Sequence, residues 1–311
     1  MALSHGNGAG FILVREALFT EHLADPAVLD APPSALTGNG FLDEDLRRAE
    51  LFRPGFAAAR IPISDSTASA IDRARALVLG FSVGGGATCG TFTGSLVEQA
   101  LWLRSAQGCC SDHTEVFLAL APLARLSARE VRNADHTVVE IFDPRSREWV
   151  MVDPMGALLA RDSSGRALSM HDLRRSLLAR ATVRWEMFGA GWRHPRDTTS
   201  AWFRTTYGVG SERDRIWSEL MWTWGNNVYL QAAGRRSASR FGKAVEQLRG
   251  YASRERPGYR VIPEADPGAA LHLLVRYAVA TDLLLSLALG CGLVWGLRRS
   301  PRVLARPTFA S

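Results

Sequence analysis

The sequence predicts an α+β fold: a helix bearing a cysteine packs on an antiparallel sheet bearing a histidine and an aspartate, with a helical C-terminal extension and one transmembrane helix to follow. Three observations predict it. Apolar residues recur at helical spacing between about residues 66 and 126. The pattern then changes to β-branched and aromatic runs at period two, separated by turn residues, between 128 and 153. Finally, residues 277–297 form an apolar run of 21 residues, broken only by Asp282 and a few small polar side chains.

In chain order, residues 1–65 form an N-terminal extension whose first 45 residues are rich in Gly, Pro, Ala and Ser, the composition of loosely ordered, turn-rich chain. Ile71, Ala74, Leu77 and Val78 predict a helix over about 66–80, with Ser64 or Asp65 as its cap. The following glycine-rich stretch, VGGGATCGTFTG, lacks the Gly-Lys-Ser/Thr ending of a phosphate-binding loop and is expected to connect helices. SLVEQALWLRS predicts a second helix, and CSDHTEVFLALAPLARL a third that opens near Cys110 and ends near Leu126. Strands follow at 128–132, 136–142 and 147–153, joined by Asn-Ala-Asp and Asp-Pro-Arg-Ser turns. If Asp143–Ser146 form the second loop, residue 142 pairs with 147, and His136 falls directly opposite Asp153 on one face.

Beyond Pro154, residues 157–267 form a tryptophan-rich extension with helices expected at about 212–231 and 239–252. Six tryptophans lie there, at 185, 192, 202, 217, 222 and 224. They could offer a stacking platform for sugars, but Trp217, Leu220, Met221 and Trp224 have the spacing of a buried helix face.

Composition excludes several classes. With 311 residues, 47% hydrophobic and 22% charged, the chain belongs with globular proteins rather than disordered or fibrous ones. The net charge of +6 comes from arginines interleaved with acids, with Lys243 the single lysine, so no basic stripe marks a nucleic-acid partner. Cys89, Cys109, Cys110 and Cys291 are too few for a disulfide framework, and adjacent cysteines do not easily bridge, so the thiols are expected to be free. The first 25 residues contain no apolar run of signal-peptide length.

The residues that carry chemistry are Cys110, His136 and Asp153. A thiol becomes a nucleophile as its thiolate, which is favoured by a helix N-terminus, an adjacent imidazolium and a third group that fixes the ring. Cys110 opens the third helix, His136 starts a strand, and Asp153 sits across from it. Cys109 is the alternative nucleophile, but one step along a helix turns it about 100° away. Singly, these are common structural residues: a buried cysteine is a small hydrophobe, and Asp before Pro is a turn former. Only their joint placement points to catalysis. A zinc site from Cys109, Cys110, His113 and His136 is disfavoured because adjacent cysteines chelate poorly, so neither metal nor cofactor is expected.

The residues around this triad resemble the transglutaminase-like superfamily. Its nucleophile motif is matched by Gly108-Cys109-Cys110-Ser111-Asp112-His113-Thr114, and its strand start by Ser127-Ala128-Arg129-Glu130-Val131. Its histidine and aspartate motifs are matched by His136 to Ile141 and by Trp149-Val150-Met151-Val152-Asp153-Pro154. The resemblance covers residues 66–156 and implies a rearranged papain-like core with Cys110, His136 and Asp153 as catalytic residues. Two departures stand out. The segment between Arg129 and His136 is short, and Thr137 replaces a small residue.

Such a core implies attack on an amide or ester carbonyl of a protein or peptide-like substrate through an acyl-enzyme, ending in hydrolysis or acyl transfer. The oxyanion would meet the Cys110 backbone N–H and one further donor, with Gln107 and Trp102 as candidates. The rival class is a membrane-tethered, non-catalytic binding or scaffolding module that retains the fold.

The run 277–297 is expected to anchor the chain in a lipid bilayer, followed by a basic tail, 298–311, with Arg298, Arg299, Arg302 and Arg306. Those arginines favour a cytoplasmic tail. The expected free thiols and the missing signal segment favour a cytoplasmic catalytic domain instead, and this second orientation is the one the sequence supports.

Overall fold

The computed structural model describes residues 20–22, 27–33, 46–47, 49–63, 67–82, 95–133, 136–188, 201–208, 220–223, 259–261 and 269–299. The chain divides into two units: Phe19–Pro267, and Met1–Leu18 together with Gly268–Ser311.

In the larger unit the described helices are α1 (Ala27–Asp30), α2 (Arg53–Ala58), α3 (Ala70–Phe81), α4 (Leu96–Leu103), α5 (Cys110–Leu120), α6 (Met170–Leu178) and α7 (Ala201–Tyr207). The described strands are β1 (Thr20–His22), β2 (Ala128–Arg132), β3 (Thr137–Asp143), β4 (Glu148–Asp153), β5 (Leu158–Arg161), β6 (Arg184–Met187), β7 (Met221–Thr223) and β8 (Tyr259–Val261). They form one sheet of order β1-β8-β7-β2-β3-β4-β5-β6. Every pairing is antiparallel except β1 with β8. The mixed helix and antiparallel sheet expected from the sequence is therefore present, and the expected three-strand meander is its centre.

Local sequence explains the helix starts. The Ser69 hydroxyl accepts the Asp72 N–H at 3.1 Å and caps α3, so the cap is Ser69 rather than Ser64 or Asp65. Ser95 and Glu98 form a reciprocal capping box on α4. At α5, Gly108 adopts φ +81, and a Cβ there would lie 2.4 Å from Leu103, so only glycine fits the turn that aims the chain into the helix. The Asp112 carboxylate then accepts the Cys109 N–H at 3.0 Å. The regular helix ends at Leu120, earlier than the expected Leu126, and turns continue to Arg125.

The sheet is covered on both faces, which is why β3 and β4 are nearly continuous apolar runs. Val139, Ile141, Val150 and Val152 pack with Phe81, Phe117 and their neighbours on α3–α5. Val138, Met151 and Leu158 pack with Leu173 of α6 and with Phe203 and Tyr207 of α7. Each large side chain hidden in this way contributes about 1.5–3 kcal/mol. Within the second layer, the cross-strand partners Arg129 and Glu140 form a buried ion pair at 2.6 Å. The Arg129 guanidinium stacks 4.0 Å from the Trp149 ring and donates to the Leu29 carbonyl, while Glu140 accepts the Met170 N–H at the start of α6. These bonds satisfy both charges, as their burial requires.

Four expectations are corrected. The β3–β4 loop is Pro144–Arg147 and the register pairs Phe142 with Trp149, a two-residue shift from the expected pairing. Because the shift is even, His136 and Asp153 keep a common face but are diagonal rather than opposite. Met221–Thr223 form a strand inside the helix expected over 212–231, because pairing with β2 and β8 overrides the helical spacing. The helix expected over 239–252 lies outside the described residues. In the segment expected to be loosely ordered, Phe52, Phe56 and Ile61 around α2 enter the core. Finally, Cys109 is disulfide-bonded, whereas Cys110 and Cys291 are free thiols. Pairing depends on tertiary proximity, which a cysteine count does not reveal.

In the second unit, α8 spans Ala269–Arg299. Its segment Leu273–Gly296 is 24 residues long with mean hydropathy 1.8, long and apolar enough to cross a membrane. Leu283, Leu284, Leu287 and Leu289 are all exposed on it.

Candidate functional site

The site forms at the ends of β3 and β4, where the two side-chain layers meet. Cys110 is the first residue of α5, from the helix layer on one face. His136 immediately precedes β3, and Asp153 is the last residue of β4. Asn133 holds His136 by two bonds: its side-chain carbonyl accepts the His136 N–H at 2.8 Å, and its own N–H donates to the His136 carbonyl at 2.9 Å. From the other layer, α7 supplies Trp202 and Tyr207.

The structure brings the three sequence-derived residues together. His136 Nε2 lies 2.8 Å from Asp153 Oδ2. Cys110 sits beside the same ring, and the two act on each other through a hydrogen bond and their charges. The Thr137 backbone also helps to lower the Cys110 thiol.

Asp153 is completely buried, yet its two oxygens accept four hydrogen bonds. Oδ1 accepts the Met155 N–H at 2.9 Å and the Gly156 N–H at 2.8 Å. Oδ2 faces His136 and accepts the Tyr207 O–H at 2.6 Å. Gly156 is tightly constrained: a Cβ there would stand 2.6 Å from Asp153 Oδ2 and 2.9 Å from the Trp202 ring.

The electrostatics follow from this arrangement. Burial disfavours the Asp153 carboxylate, but the His136 charge, with the hydrogen bonds of His136, Tyr207 and Gly156, outweighs it and holds Asp153 below its ordinary value. Burial also disfavours the His136 imidazolium, but the charge and hydrogen bond of Asp153, reinforced by Cys110, raise it to about 10. For Cys110, burial pushes the thiol up, and the hydrogen bond and charge of His136 more than reverse this, leaving it below the usual thiol value. Tyr207 is raised well above 10 by burial and by Asp153, so it remains a hydrogen-bond donor. The arrangement favours a thiolate beside an imidazolium, with a buried carboxylate behind it.

The other sequence candidates are placed differently. Cys109 is buried at the N-cap of α5, in its disulfide. His113 is buried, with Nδ1 2.8 Å from the Cys109 carbonyl and its ring 6.5 Å from that of Phe81. Gln107 is exposed three residues before Cys110. Trp102 is half-buried, with its ring beside Gly108.

Sequence reasoning missed Tyr207, Trp202 and Gly156. The His136 ring meets Trp202 at 6.2 Å and Tyr207 at 5.8 Å, both edge-on. Trp185 packs on Phe203 and Tyr207, so Trp185 and Trp202 pack around the wall of the site. Asp-Pro-x-Gly at 153–156 carried a local signal, since an aspartate that opens a turn accepts N–H groups two and three residues on. No local signal distinguished Tyr207. Against protein-family models, curated proteins and solved structures, the chain has no match.

Proposed function

We propose that the chain is a membrane-anchored cysteine enzyme of the transglutaminase-like type that acts on an amide or ester carbonyl through an acyl-enzyme. The observation that carries this reading is the buried His136–Asp153 pair with Cys110 beside it at a helix N-terminus.

In the forward step, the Cys110 thiolate adds to the carbonyl carbon, and the oxyanion is met by the Cys110 backbone N–H, with Gln107 and Trp102 as candidates for a second donor. The bond to the leaving amine or alcohol breaks as His136 gives it a proton, leaving a thioester on Cys110. Water or an acceptor amine then attacks the thioester, His136 takes the proton of the attacking group, and Cys110 leaves as its thiolate. Asp153 keeps the ring aligned throughout.

The anchor is α8, and the catalytic domain lies on the extracytoplasmic side. The Cys109 disulfide suits an oxidising compartment and removes the free-thiol ground for a cytoplasmic domain. Arg298, Arg299, Arg302 and Arg306 then keep the tail in the cytoplasm.

Incubating the detergent-solubilised full chain with p-nitrophenyl acetate tests the chemistry. A burst of p-nitrophenol with the acetyl group mapped to Cys110, and loss of the burst in His136→Ala, supports an acyl-enzyme. No acetyl group at Cys110 would favour a binding module that only retains the fold.

A further inference from the structure

One carboxylate oxygen in this site serves two donors. Asp153 Oδ2 lies 2.8 Å from His136 Nε2 and 2.6 Å from the Tyr207 hydroxyl. Tyr207 is buried, and its position is fixed from three sides: its ring packs 4.7 Å from Trp185, 5.3 Å from Phe203 and 6.2 Å from Trp202. The hydroxyl therefore reaches Asp153 from a rigid platform on α7, outside the 66–156 segment that carries the triad.

We propose that Tyr207 is a positioning residue which, by sharing Asp153 Oδ2 with His136, weakens the hold of that carboxylate on the imidazolium and lets His136 release its proton to a leaving group. The proposal rests on the triad reading above and adds to it a residue that sets how acidic the general acid is.

The physical reasoning concerns how one charge is divided. A carboxylate in a low-dielectric site attracts an imidazolium strongly, and the stronger the attraction, the less readily the ring gives up its proton. A short O–H···O bond to the same oxygen draws off part of that charge. The titratable groups that act on His136 are Asp153 on β4 and Cys110 on α5, and the same two act on Tyr207, whose ring meets that of His136 edge-on. The Tyr207 hydroxyl donates to the same oxygen that faces His136, so a change at that hydroxyl acts on the ring through Asp153. Trp202 and the Tyr207 ring, both edge-on to His136, keep the ring in place, whereas the hydroxyl tunes it.

The test uses iodoacetate on the full chain in detergent, with alkylation of Cys110 followed by peptide mass spectrometry from pH 5 to 11. Iodoacetate is an anion, so its reaction with the thiolate slows when the neighbouring imidazolium loses its charge. The upper limb of the profile thereby reports His136, expected near 10 in the wild type. In Tyr207→Phe, which keeps the ring and its packing, the upper limb should move up by about one pH unit, a tenfold change in the proton affinity of the ring. Replacing Tyr207 by 3-fluorotyrosine, a stronger donor of nearly the same shape, should move it down.

A merely structural role would leave the limb where it is in both variants, and that result overturns the proposal while the triad reading stands. Should Tyr207→Phe fail to fold, the fluorotyrosine protein decides alone, by the same downward shift or its absence. A wild type that alkylates at low pH no faster than His136→Ala would instead overturn the triad reading, and the proposal with it.

Discussion

Asp153 bonds to His136 without standing opposite it. The β3–β4 ladder pairs Val139 with Val152, which sets Asp153 against Val138, yet Asp153 Oδ2 lies 2.8 Å from His136 Nε2. A diagonal pair on one sheet face is within reach of long side chains. The contact is held by anchors on both sides: Asn133 fixes the His136 backbone, and the Met155 and Gly156 N–H groups fix Asp153.

Asp153→Asn should separate orientation from folding. The amide cannot accept from Tyr207, Met155 and Gly156 and also stabilise an imidazolium, so one or two of the four bonds are lost. Stability should fall by about 1–3 kcal/mol. Turnover on p-nitrophenyl acetate should fall far more, by roughly a thousandfold or greater. Unchanged kinetics would show that the 136–153 contact is not functional, and a mutant that fails to fold would make Asp153 a structural residue first.

Gly156→Ala should damage the site from behind. The new methyl group would press on Asp153 Oδ2 and on the Trp202 ring, and neither is the free end of a flexible side chain. Circular dichroism should show the secondary structure retained, while Cys110 alkylation at about pH 6 slows at least tenfold. A variant with wild-type alkylation would mean that Asp153 can shift without consequence.

The anchor has two separable tests. The full chain should resist extraction from membranes at alkaline pH, and deletion of 273–296 should release it. Recovery of the full chain in the soluble fraction would overturn the anchor. In sealed spheroplasts, added protease should digest the larger unit; protection of that unit would place it in the cytoplasm.

Much of the central fold was legible because its signals are local. Ser95 and Glu98 at the start of α4, the helical spacing of Leu77 and Val78, and the β-branched runs of β3 and β4 each follow from short-range physics. The face shared by His136 and Asp153 survived a register error because the slip was even. Features set by distant contacts were not legible. The strand at Met221–Thr223 exists through its pairing with β2 and β8. The Arg129–Glu140 pair is buried because Trp149, Leu29 and Met170 close around it. Tyr207 meets Asp153 across 54 residues of chain, and a tyrosine on a short helix gives no sign of that partner.

The central claim is that His136 lowers the Cys110 thiol and favours its thiolate, and the pH dependence of Cys110 alkylation by neutral iodoacetamide tests it most directly. An anion-favouring shift means that reactivity is present above the lowered thiol value and is lost only as the pH falls through it. The wild type should therefore alkylate at Cys110 at about pH 6, well below the unperturbed thiol value near 8.5, and His136→Ala should lose that reactivity by more than about tenfold. Equal rates in the two proteins at pH 6, or a wild-type rate no greater than that of an unperturbed thiol, would contradict it.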